Sequence, residues 1–344
     1  MDMLQTIRSR KSISSLKDAI VTLAGERGID KVGFTSRDRL RDAPPSGDLA
    51  YVLANARSAV SLAVSLGKAA IRSYLGKEDQ MAHVTDLKLS YMKLEEAGKA
   101  IAALLRDRGY EAWFSFPNIE YRKGPFMAMV PPLSHRYVAV ASGIGWLGWS
   151  GNVVTPEYGA TVSLASVVTS AELEPDPLAE RDFCQNCRLC AAVCPSHFIS
   201  MKEQTTVTIA GRTHTHNKKA SNLRCFVTCG GANGVSHPNA KWSTWSYKVL
   251  DLPGRGDEEA FERRVLEYTQ DPHNRLLREV LELEKRDMRD WEQFDLFMKR
   301  LLLTCGNCMT ICWPDRTDRK ENYRLLPTSG RVVKGDTGLQ VVRV

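Results

Sequence analysis

Nine cysteines occur in this chain of 344 residues, and seven of them fall into two short runs. The first run, FCQNCRLCAAVCP, has the spacing C-x2-C-x2-C-x3-C-P and contains Cys184, Cys187, Cys190 and Cys194. The second run, CGNCMTIC, contains Cys305, Cys308 and Cys312. Thiols spaced this closely form disulfides, bind zinc or hold iron–sulfur clusters.

Disulfides are the weakest of these readings. Disulfide scaffolds are short secreted chains, whereas this chain is long and begins MDMLQTIRSRKSISS, which lacks the apolar segment of a signal peptide. The number of cysteines is also odd. The chain contains no run of eighteen apolar residues, which is about the length needed to span a bilayer. We therefore expect a protein of the reducing cytoplasm with no membrane partner.

The spacing separates zinc from iron–sulfur chemistry. Zinc sites usually draw two pairs of ligands from separate loops, whereas C-x2-C-x2-C-x3-C-P is the bacterial ferredoxin run, whose fourth cysteine serves the other cluster of a pair. We predict two [4Fe–4S] clusters, with structural zinc plus free thiols as the alternative. The first cluster would take Cys184, Cys187, Cys190 and Cys312. The second would take Cys194, Cys305, Cys308 and either Cys225 or Cys229.

Charge and composition give weaker indications. The 47 basic and 40 acidic residues leave a net charge of +7 that is spread along the chain, which favours a solvated surface over a nucleic-acid footprint. The length favours two domains. We place the boundaries at 1–178, 179–325 and a tail at 326–344.

The first part of the chain mixes helices and strands. SSLKDAIVTLAGERG predicts a helix that Ser15 caps and Gly28 ends, and a second, long helix is predicted over about 84–108 with Gly109 closing it. KVGFT, ARSAVSLAVSL and TVSLASVVTS read as strands, because in the second of these Val60, Leu62, Val64 and Leu66 alternate with small residues. The fold class is therefore α/β or α+β.

The linker ELEPDPLAERD precedes the first cysteine run, and the segment between the two runs reads as a hairpin followed by helices. TVTIAGRTHTHN predicts the hairpin, with His214 and His216 facing solvent. A helical tract over 258–303 is interrupted at Pro272. We expect its second helix to bring Cys305 back beside Cys194.

Dense glycines mark the segment ASGIGWLGWSGNVVTPEYG, with Gly143, Gly145, Gly148 and Gly151 within nine residues. Such a loop adopts positive φ or lets backbone approach a bulky ligand closely. It is neither a dinucleotide fingerprint, which needs a following helix and acid, nor a P-loop, which needs Gly-Lys-Ser/Thr. A Gly-rich turn without a ligand is the plain alternative.

This glycine loop, the linker ELEPD, the first cysteine run and the closing CGNCMTIC together resemble the cobalamin-dependent iron–sulfur reductases, the superfamily of reductive dehalogenases and epoxyqueuosine reductases. The resemblance covers about residues 50–315. It implies a nitroreductase-like corrinoid-binding domain followed by a ferredoxin-like double [4Fe–4S] domain. It also implies a base-off cobalamin with one cluster near its edge. The implied corrin contacts are Gly143, Gly145, Trp146, Gly148, Gly151, Asn152 and Tyr158.

The two families in this superfamily differ in their proton donor. TPEYG is more similar to the dehalogenases, whereas the short chain and the Arg224–Cys225 pair resemble the tRNA-modifying enzymes. In the latter an aspartate donor is implied where this chain has Met129. Dehalogenases use a tyrosine beside a basic residue, which Tyr121 with Arg122 and Lys123 would supply; His135 is a second candidate.

The prediction is therefore a corrinoid-dependent oxidoreductase that passes electrons through two clusters to a Co(I)/Co(II) corrinoid for reductive dehalogenation of a small organic substrate. A reduced ferredoxin or flavodoxin would be the electron donor. One alternative is an epoxyqueuosine reductase-like enzyme acting on tRNA. Another is an electron-transfer or corrinoid-activating protein with no substrate reaction of its own.

Overall fold

A computed structural model describes residues 3–116, 121–123, 129–247, 252–270, 304–336 and 338–343. The helices, in chain order, are α1 Met3–Glu26, α2 Lys68–Leu75, α3 Gln80–Asp107, α4 His135–Ala141, α5 Leu189–Ala192, α6 Asn222–Cys229, α7 Glu258–Gln270, α8 Asn307–Thr310 and α9 Arg316–Thr328. The strands are β1 Lys31–Ser36, β2 Ser58–Ser65, β3 Ala112–Ser115, β4 Trp146–Leu147, β5 Val153–Val154, β6 Val162–Thr169, β7 Gln204–Ile209, β8 Arg212–Asn217, β9 Arg331–Gly335 and β10 Gly338–Val342.

A four-stranded sheet in the order β1-β2-β6-β3 organises the first half of the chain, and its neighbouring strands are antiparallel. The large side chains Val60, Leu62 and Val64 of β2 pack with α1 and α3 on one face. The small residues Ala59 and Ala63 pack against α4 on the other. The predicted alternation of large and small residues is therefore present, and the mixed fold is of the α+β kind.

The two long helices pack on the same face of the sheet, and both begin earlier than predicted. Helix α1 starts at Met3 and not at Ser15, and it ends before Gly28, whose φ is +69°. Helix α3 starts at Gln80, where the Asp79 side chain accepts a 2.8 Å hydrogen bond from the Met81 amide. A polar side chain that satisfies a free amide of the first turn is the usual start of a helix, and here the acid lies before the apolar stripe begins.

The predicted hairpin is formed by β7 and β8, and its turn at Ala210 and Gly211 has positive φ at both residues. The prediction of solvent-facing histidines is wrong for His214. This side chain is 1% exposed, and its ring centre lies 4.4 Å from that of Trp146. The hairpin thus packs against the glycine loop.

The region after the hairpin is only partly described. Helix α7 matches the start of the predicted helical tract, whereas the predicted second helix, including Pro272, lies outside the described residues. Helix α9 crosses the expected boundary at 325, and β9 pairs with β10 where a tail was expected. Within the described residues, no helix combines the length and the apolar character needed to cross a bilayer.

Candidate iron–sulfur and corrinoid site

Four thiols surround a first cavity, here called the cluster-1 cavity. Cys184, Cys187 and Cys190 come from the first cysteine run, and Cys312 comes from the second. Cys190 lies within the short helix α5, Cys194 follows the end of that helix, and Arg188 before it has a left-handed φ of +60°. This tight turn directs three thiols of the run into one small volume.

Hydrogen-bond donors approach these thiols from two sides. The backbone amide of Trp149 donates to Cys184 Sγ over 3.3 Å, and Arg319 Nη1 lies 4.0 Å from Cys187 Sγ. Arg319 is 4% exposed and is held by Gln185 and by the carbonyl of Pro314. Donors of this kind stabilise thiolate sulfur and raise the reduction potential of a bound cluster.

The other five thiols line a second cavity of about 360 Å³, here called the cluster-2 cavity. Its thiols are Cys194, Cys225, Cys229, Cys305 and Cys308. The wall of this cavity also includes Tyr121, Met129, Arg136, Asn152 and Lys219. The cavity therefore extends from the thiols to the segment that precedes α4.

The two cysteine runs meet directly. Asn307 Nδ2 donates to the carbonyl oxygen of Val193 over 3.2 Å, so Cys308 lies beside Cys194. Asn152 Nδ2 approaches Cys308 Sγ at 3.7 Å. Each run thus supplies thiols to both cavities. Cys194 of the first run lines the cluster-2 cavity, and Cys312 of the second run lines the cluster-1 cavity, as in the paired ferredoxin arrangement.

Burial controls the protonation of the free thiols. It raises the pKa of Cys194 to about 11 and that of Cys312 to about 12, and it also raises the pKa of Cys190 and Cys308. Cys305 differs, because a hydrogen bond with Cys229 lowers its pKa to about 7. Assembly of a metal cluster on these residues must therefore release protons.

The donor chemistry of both cavities fits iron–sulfur clusters. Four or five thiols around one cavity, with amide, guanidinium or carboxamide groups directed at the sulfurs, is the environment that a cluster requires. Within the described ranges, no three His, Cys, Asp or Glu side chains are grouped as ligands of a single metal ion.

The glycine loop packs within the protein at its start. A Cβ on Gly143, whose φ is +76°, would overlap the carbonyl oxygen of Pro177, and one on Gly145 would lie 2.6 Å from that of Val154. Trp146 packs on His214. Protein packing accounts for these two glycines and the tryptophan, and their contact with a corrinoid stays a prediction.

The rest of the loop lies beside the cysteines. A Cβ on Gly148 would lie 3.4 Å from Cys184 Cβ, and one on Gly151 would lie 3.0 Å from the Lys219 side chain. Asn152 lines the cluster-2 cavity. This half of the loop links the two cavities, and contact with a corrinoid stays a prediction for Gly148, Gly151 and Asn152.

The TPEYG segment supports the last cysteine. Gly159 has a φ of +59°, and a Cβ there would overlap the carbonyl oxygen of Cys312. The next amide, that of Ala160, donates to the same oxygen over 2.9 Å. Tyr158 lines neither cavity and packs at the edge of the core around α4, and its contact with a corrin stays a prediction.

The three candidate proton donors have different positions. Tyr121 lines the cluster-2 cavity and is 36% exposed. Lys123 is exposed and does not line the cavity. His135 is 3% exposed, and its ring nitrogens bond Ser166 Oγ at 2.9 Å and the Phe116 carbonyl at 3.2 Å. His135 is thus a buried, hydrogen-bonded residue that does not line the cavity, and the structure gives no support to it as a donor.

Arg122, which was expected to support Tyr121, instead holds the local backbone. Its guanidinium donates to the carbonyl oxygens of Pro131, Pro132 and Pro45, and it stacks on Tyr51 at 3.7 Å. The Arg122 amide also donates to Val130 over 2.7 Å. These contacts fix Tyr121 and Met129 at the rim of the cavity.

Two cations of the cavity wall, Arg136 and Lys219, were not predicted from the sequence. Arg136 and Lys219 both lie within 4.0 Å of the position of a Cβ on Gly151, and Arg136 Nη1 donates to the Gly151 carbonyl over 3.0 Å. No carboxylate within the described ranges forms an ion pair with either of them. Lys219 follows the hairpin as one of two adjacent lysines, a pattern that carries no signal by itself.

No family model matches the chain. An epoxyqueuosine reductase of Bacillus anthracis is 27% identical over 206 residues, which are 53% of this chain and 51% of that protein. A tetrachloroethene reductive dehalogenase of Dehalobacter restrictus is 31% identical over 179 residues, which are 47% of this chain and 30% of that protein. The chain thus spans about half the length of the epoxyqueuosine reductases that it matches.

Solved structures of both kinds are similar only loosely. An epoxyqueuosine reductase with a tRNA-Tyr stem loop is 18% identical with a TM-score of 0.44, covering 92% of this chain and 82% of that one. A reductive dehalogenase is 19% identical with a TM-score of 0.47, covering 75% of this chain and 34% of that one. Neither similarity bears on the reaction.

The sequence relatives overturn the preference for dehalogenation. Epoxyqueuosine reductases of three Bacillus and Listeria species match over 51 to 54% of their length, against 30% for the dehalogenases. The prediction of a reductive dehalogenase is therefore wrong, and the second reading is favoured. The predicted cofactors, two [4Fe–4S] clusters and a cobalamin, are confirmed as those of both groups of relatives. The chain is a relative of the epoxyqueuosine reductases and the reductive dehalogenases, within the superfamily of cobalamin-dependent iron–sulfur reductases.

Proposed function

We propose that this chain is a corrinoid-dependent iron–sulfur reductase that acts on a modified nucleoside of tRNA, as the epoxyqueuosine reductases do. The main support for this proposal is the cluster-2 cavity. It extends from five thiols to Tyr121 and Met129, and the cations Arg136 and Lys219 also line it. The sequence relatives support this choice of substrate class.

We assign the roles of the individual residues from the cavity that each one lines. Cys184, Cys187, Cys190 and Cys312 would hold the first cluster, and Cys194, Cys305, Cys308 and a thiol of α6 the second. A cobalamin, when bound, supplies low-potential cobalt chemistry. Asn152, Tyr121 and Met129 would face it, because they line the cavity next to the second set of thiols.

Reductive removal of an epoxide oxygen takes up two electrons and two protons and releases water. Met129 carries no proton to donate, although it stands where the related tRNA-modifying enzymes are expected to have an acid. Tyr121 lines the same cavity, and we assign it the role of proton donor. Arg136 and Lys219 would attract the anionic backbone of the substrate into this cavity.

The test uses anaerobic protein reconstituted with iron, sulfide and cobalamin, a low-potential reductant and tRNA that carries epoxyqueuosine. We expect nucleosides digested from the tRNA to lose one oxygen atom by mass spectrometry. Tyr121→Phe should lower turnover without weakening tRNA binding. Arg136→Gln with Lys219→Gln should weaken binding and reduce its dependence on salt, whereas the exposed Lys202→Gln should leave both unchanged.

A second candidate is an electron carrier or corrinoid-activating protein, which Met129 favours because it removes the expected acid from the cavity. The same preparation separates the two. Rapid reduction of an added corrinoid protein, with neither tRNA binding nor loss of oxygen from the nucleoside, would support the carrier and refute the proposed reaction.

A further inference from the structure

The cluster-2 cavity holds one thiol more than a [4Fe–4S] cluster needs. Each of the four irons takes a single thiolate, and the two cysteine runs supply three of them through Cys194, Cys305 and Cys308. The fourth position falls to α6, which offers both Cys225 and Cys229. Sequence spacing leaves the choice between them open.

The rotation of α6 places both thiols in the cavity. Asn222, Cys225, Phe226 and Cys229 recur at helical spacing and line it together. The opposite face carries Leu223 and Val227, which pack with Phe261 of α7. Neither cysteine is therefore a core residue that happens to lie close by.

Arg224 fixes this orientation. Its side chain is 2% exposed, pairs with Glu258 at 2.9 Å and stacks on Phe261 at 4.2 Å. It also donates to the carbonyl oxygens of Pro253 and Gly254. A helix anchored this firmly on its far side cannot turn one of its two cysteines away from the cavity.

The end of α6 is also tied to the second cysteine run. Thr304 Oγ1 donates to the Thr228 carbonyl over 2.7 Å, and the Thr304 amide donates to the Cys229 carbonyl over 3.2 Å. These bonds place Cys229 directly beside Cys305. Cys229 therefore adjoins the predicted ligand set as well.

The two sulfurs lie 3.9 Å apart, close to van der Waals contact. Thiolates on different irons of a cubane point away from one another, because the four irons occupy separate corners. Contact alone does not assign an iron, since Cys229 also shares a hydrogen bond with Cys305. Cys225 and Cys229 lie one turn apart on the cavity face of α6, so either thiol can reach the corner that the two cysteine runs leave open.

From this geometry we propose that Cys225 and Cys229 are interchangeable ligands of a single iron in the second cluster. This rests on the presence of that cluster in the proposed function, but not on its substrate. Exchange breaks one iron–sulfur bond and forms another. The proton of the entering thiol passes to the departing thiolate, so no electrons are transferred. The unbound thiol donates a hydrogen bond to the bound sulfur.

The experiment compares Cys225→Ala, Cys229→Ala and the double variant after anaerobic reconstitution without corrinoid or tRNA. Each single variant should keep about eight irons and eight sulfides per chain, with the electron paramagnetic resonance signals of two reduced clusters. The double variant should lose the second signal and keep about four to seven irons. Cys194→Ala is the matched control, because no other thiol replaces it and its second signal should be lost.

If either single variant matches the double variant in iron content and spectrum, only that cysteine is a ligand and the proposal fails. Circular dichroism and the retained first-cluster signal show whether each variant has folded. Since neither readout involves a substrate, failure of the tRNA reaction would leave this result unchanged, and failure of ligand exchange would leave the tRNA reaction in place.

Discussion

The side-chain amide of Asn307 donates a 3.2 Å hydrogen bond to the carbonyl oxygen of Val193, and both residues directly precede a cysteine of the cluster-2 cavity. Asn307 is 1% exposed. This one bond joins segments that are 114 residues apart in the chain. It therefore sets the separation of Cys194 and Cys308.

Asn307→Ala should destabilise the folded protein and the second cluster together. The substitution leaves a buried carbonyl without its donor, which costs about 1–3 kcal/mol. Urea unfolding of the anaerobic, cluster-loaded protein measures this loss. The exposed Asn55, whose amide bonds Glu111, is the control, and Asn55→Ala should cost less than about 1 kcal/mol. Equal losses at the two sites would contradict the joining role of Asn307.

Arg319 should set the potential of the first cluster. Its buried guanidinium lies 4.0 Å from Cys187 Sγ, and reduction adds negative charge to the cluster. Arg319→Met removes the positive charge, so the midpoint potential should fall by on the order of 50 mV, the equivalent of a tenfold change in a one-electron equilibrium. A redox titration followed by electron paramagnetic resonance measures the shift.

Arg324 on the same helix provides the control for that titration. It is exposed and pairs with Glu321, away from both cavities. Arg324→Met should leave both midpoint potentials unchanged. A shift of the second cluster in Arg319→Met, with the first unmoved, would reverse the assignment of the two cavities.

The cysteine grouping was accessible from the sequence because ligand spacing is a local constraint. Three thiols within seven residues cannot reach two clusters, and the following Cys194 cannot fold back onto the first. The alternation of Val60, Leu62 and Val64 likewise encodes one face of a strand. Such features depend on neighbours in the chain.

The role of the glycines was not accessible, because it depends on partners far away in the sequence. The residues around Gly143 do not predict that the Pro177 carbonyl excludes a side chain there. The TPEYG segment likewise does not predict that Gly159 packs against Cys312. Arg136 and Lys219 meet only after the hairpin packs on the loop. For the same reason His135 read as a free donor, although its partners Ser166 and Phe116 keep it in the core.

Gly159→Ala should disturb the first cluster more than the strain of a positive φ alone would explain. Gly109 also has a positive φ, of +83°, but no atom lies within 4 Å of a Cβ there. Gly109→Ala should therefore cost only about 1 kcal/mol of conformational strain. At Gly159 the overlap with the Cys312 carbonyl adds about 1–3 kcal/mol and displaces a ligand.

Urea unfolding and the first-cluster signal distinguish the two glycine variants. Gly109→Ala should keep the full intensity of that signal, whereas Gly159→Ala should lose part of it. Matching losses of stability and intact signals in both variants would show that Gly159 serves only its turn and does not support Cys312.

His135 should make the unfolding free energy depend on pH below neutrality. Burial is the main cause that lowers its pKa to about 4, with neighbouring Arg136 acting in the same direction and the Phe116 carbonyl opposing. The unfolded histidine titrates near 6.5, so between about 6.5 and 4 the unfolded state binds a proton that the folded state does not. Its contribution is fully present above pH 6.5 and is lost as pH falls, by about 1.4 kcal/mol per unit. His135→Asn should therefore be less stable than the original protein at pH 8, with a difference that narrows towards pH 5.5. Urea unfolding at a series of pH values measures it, and a difference that stayed constant with pH would contradict a neutral, buried His135.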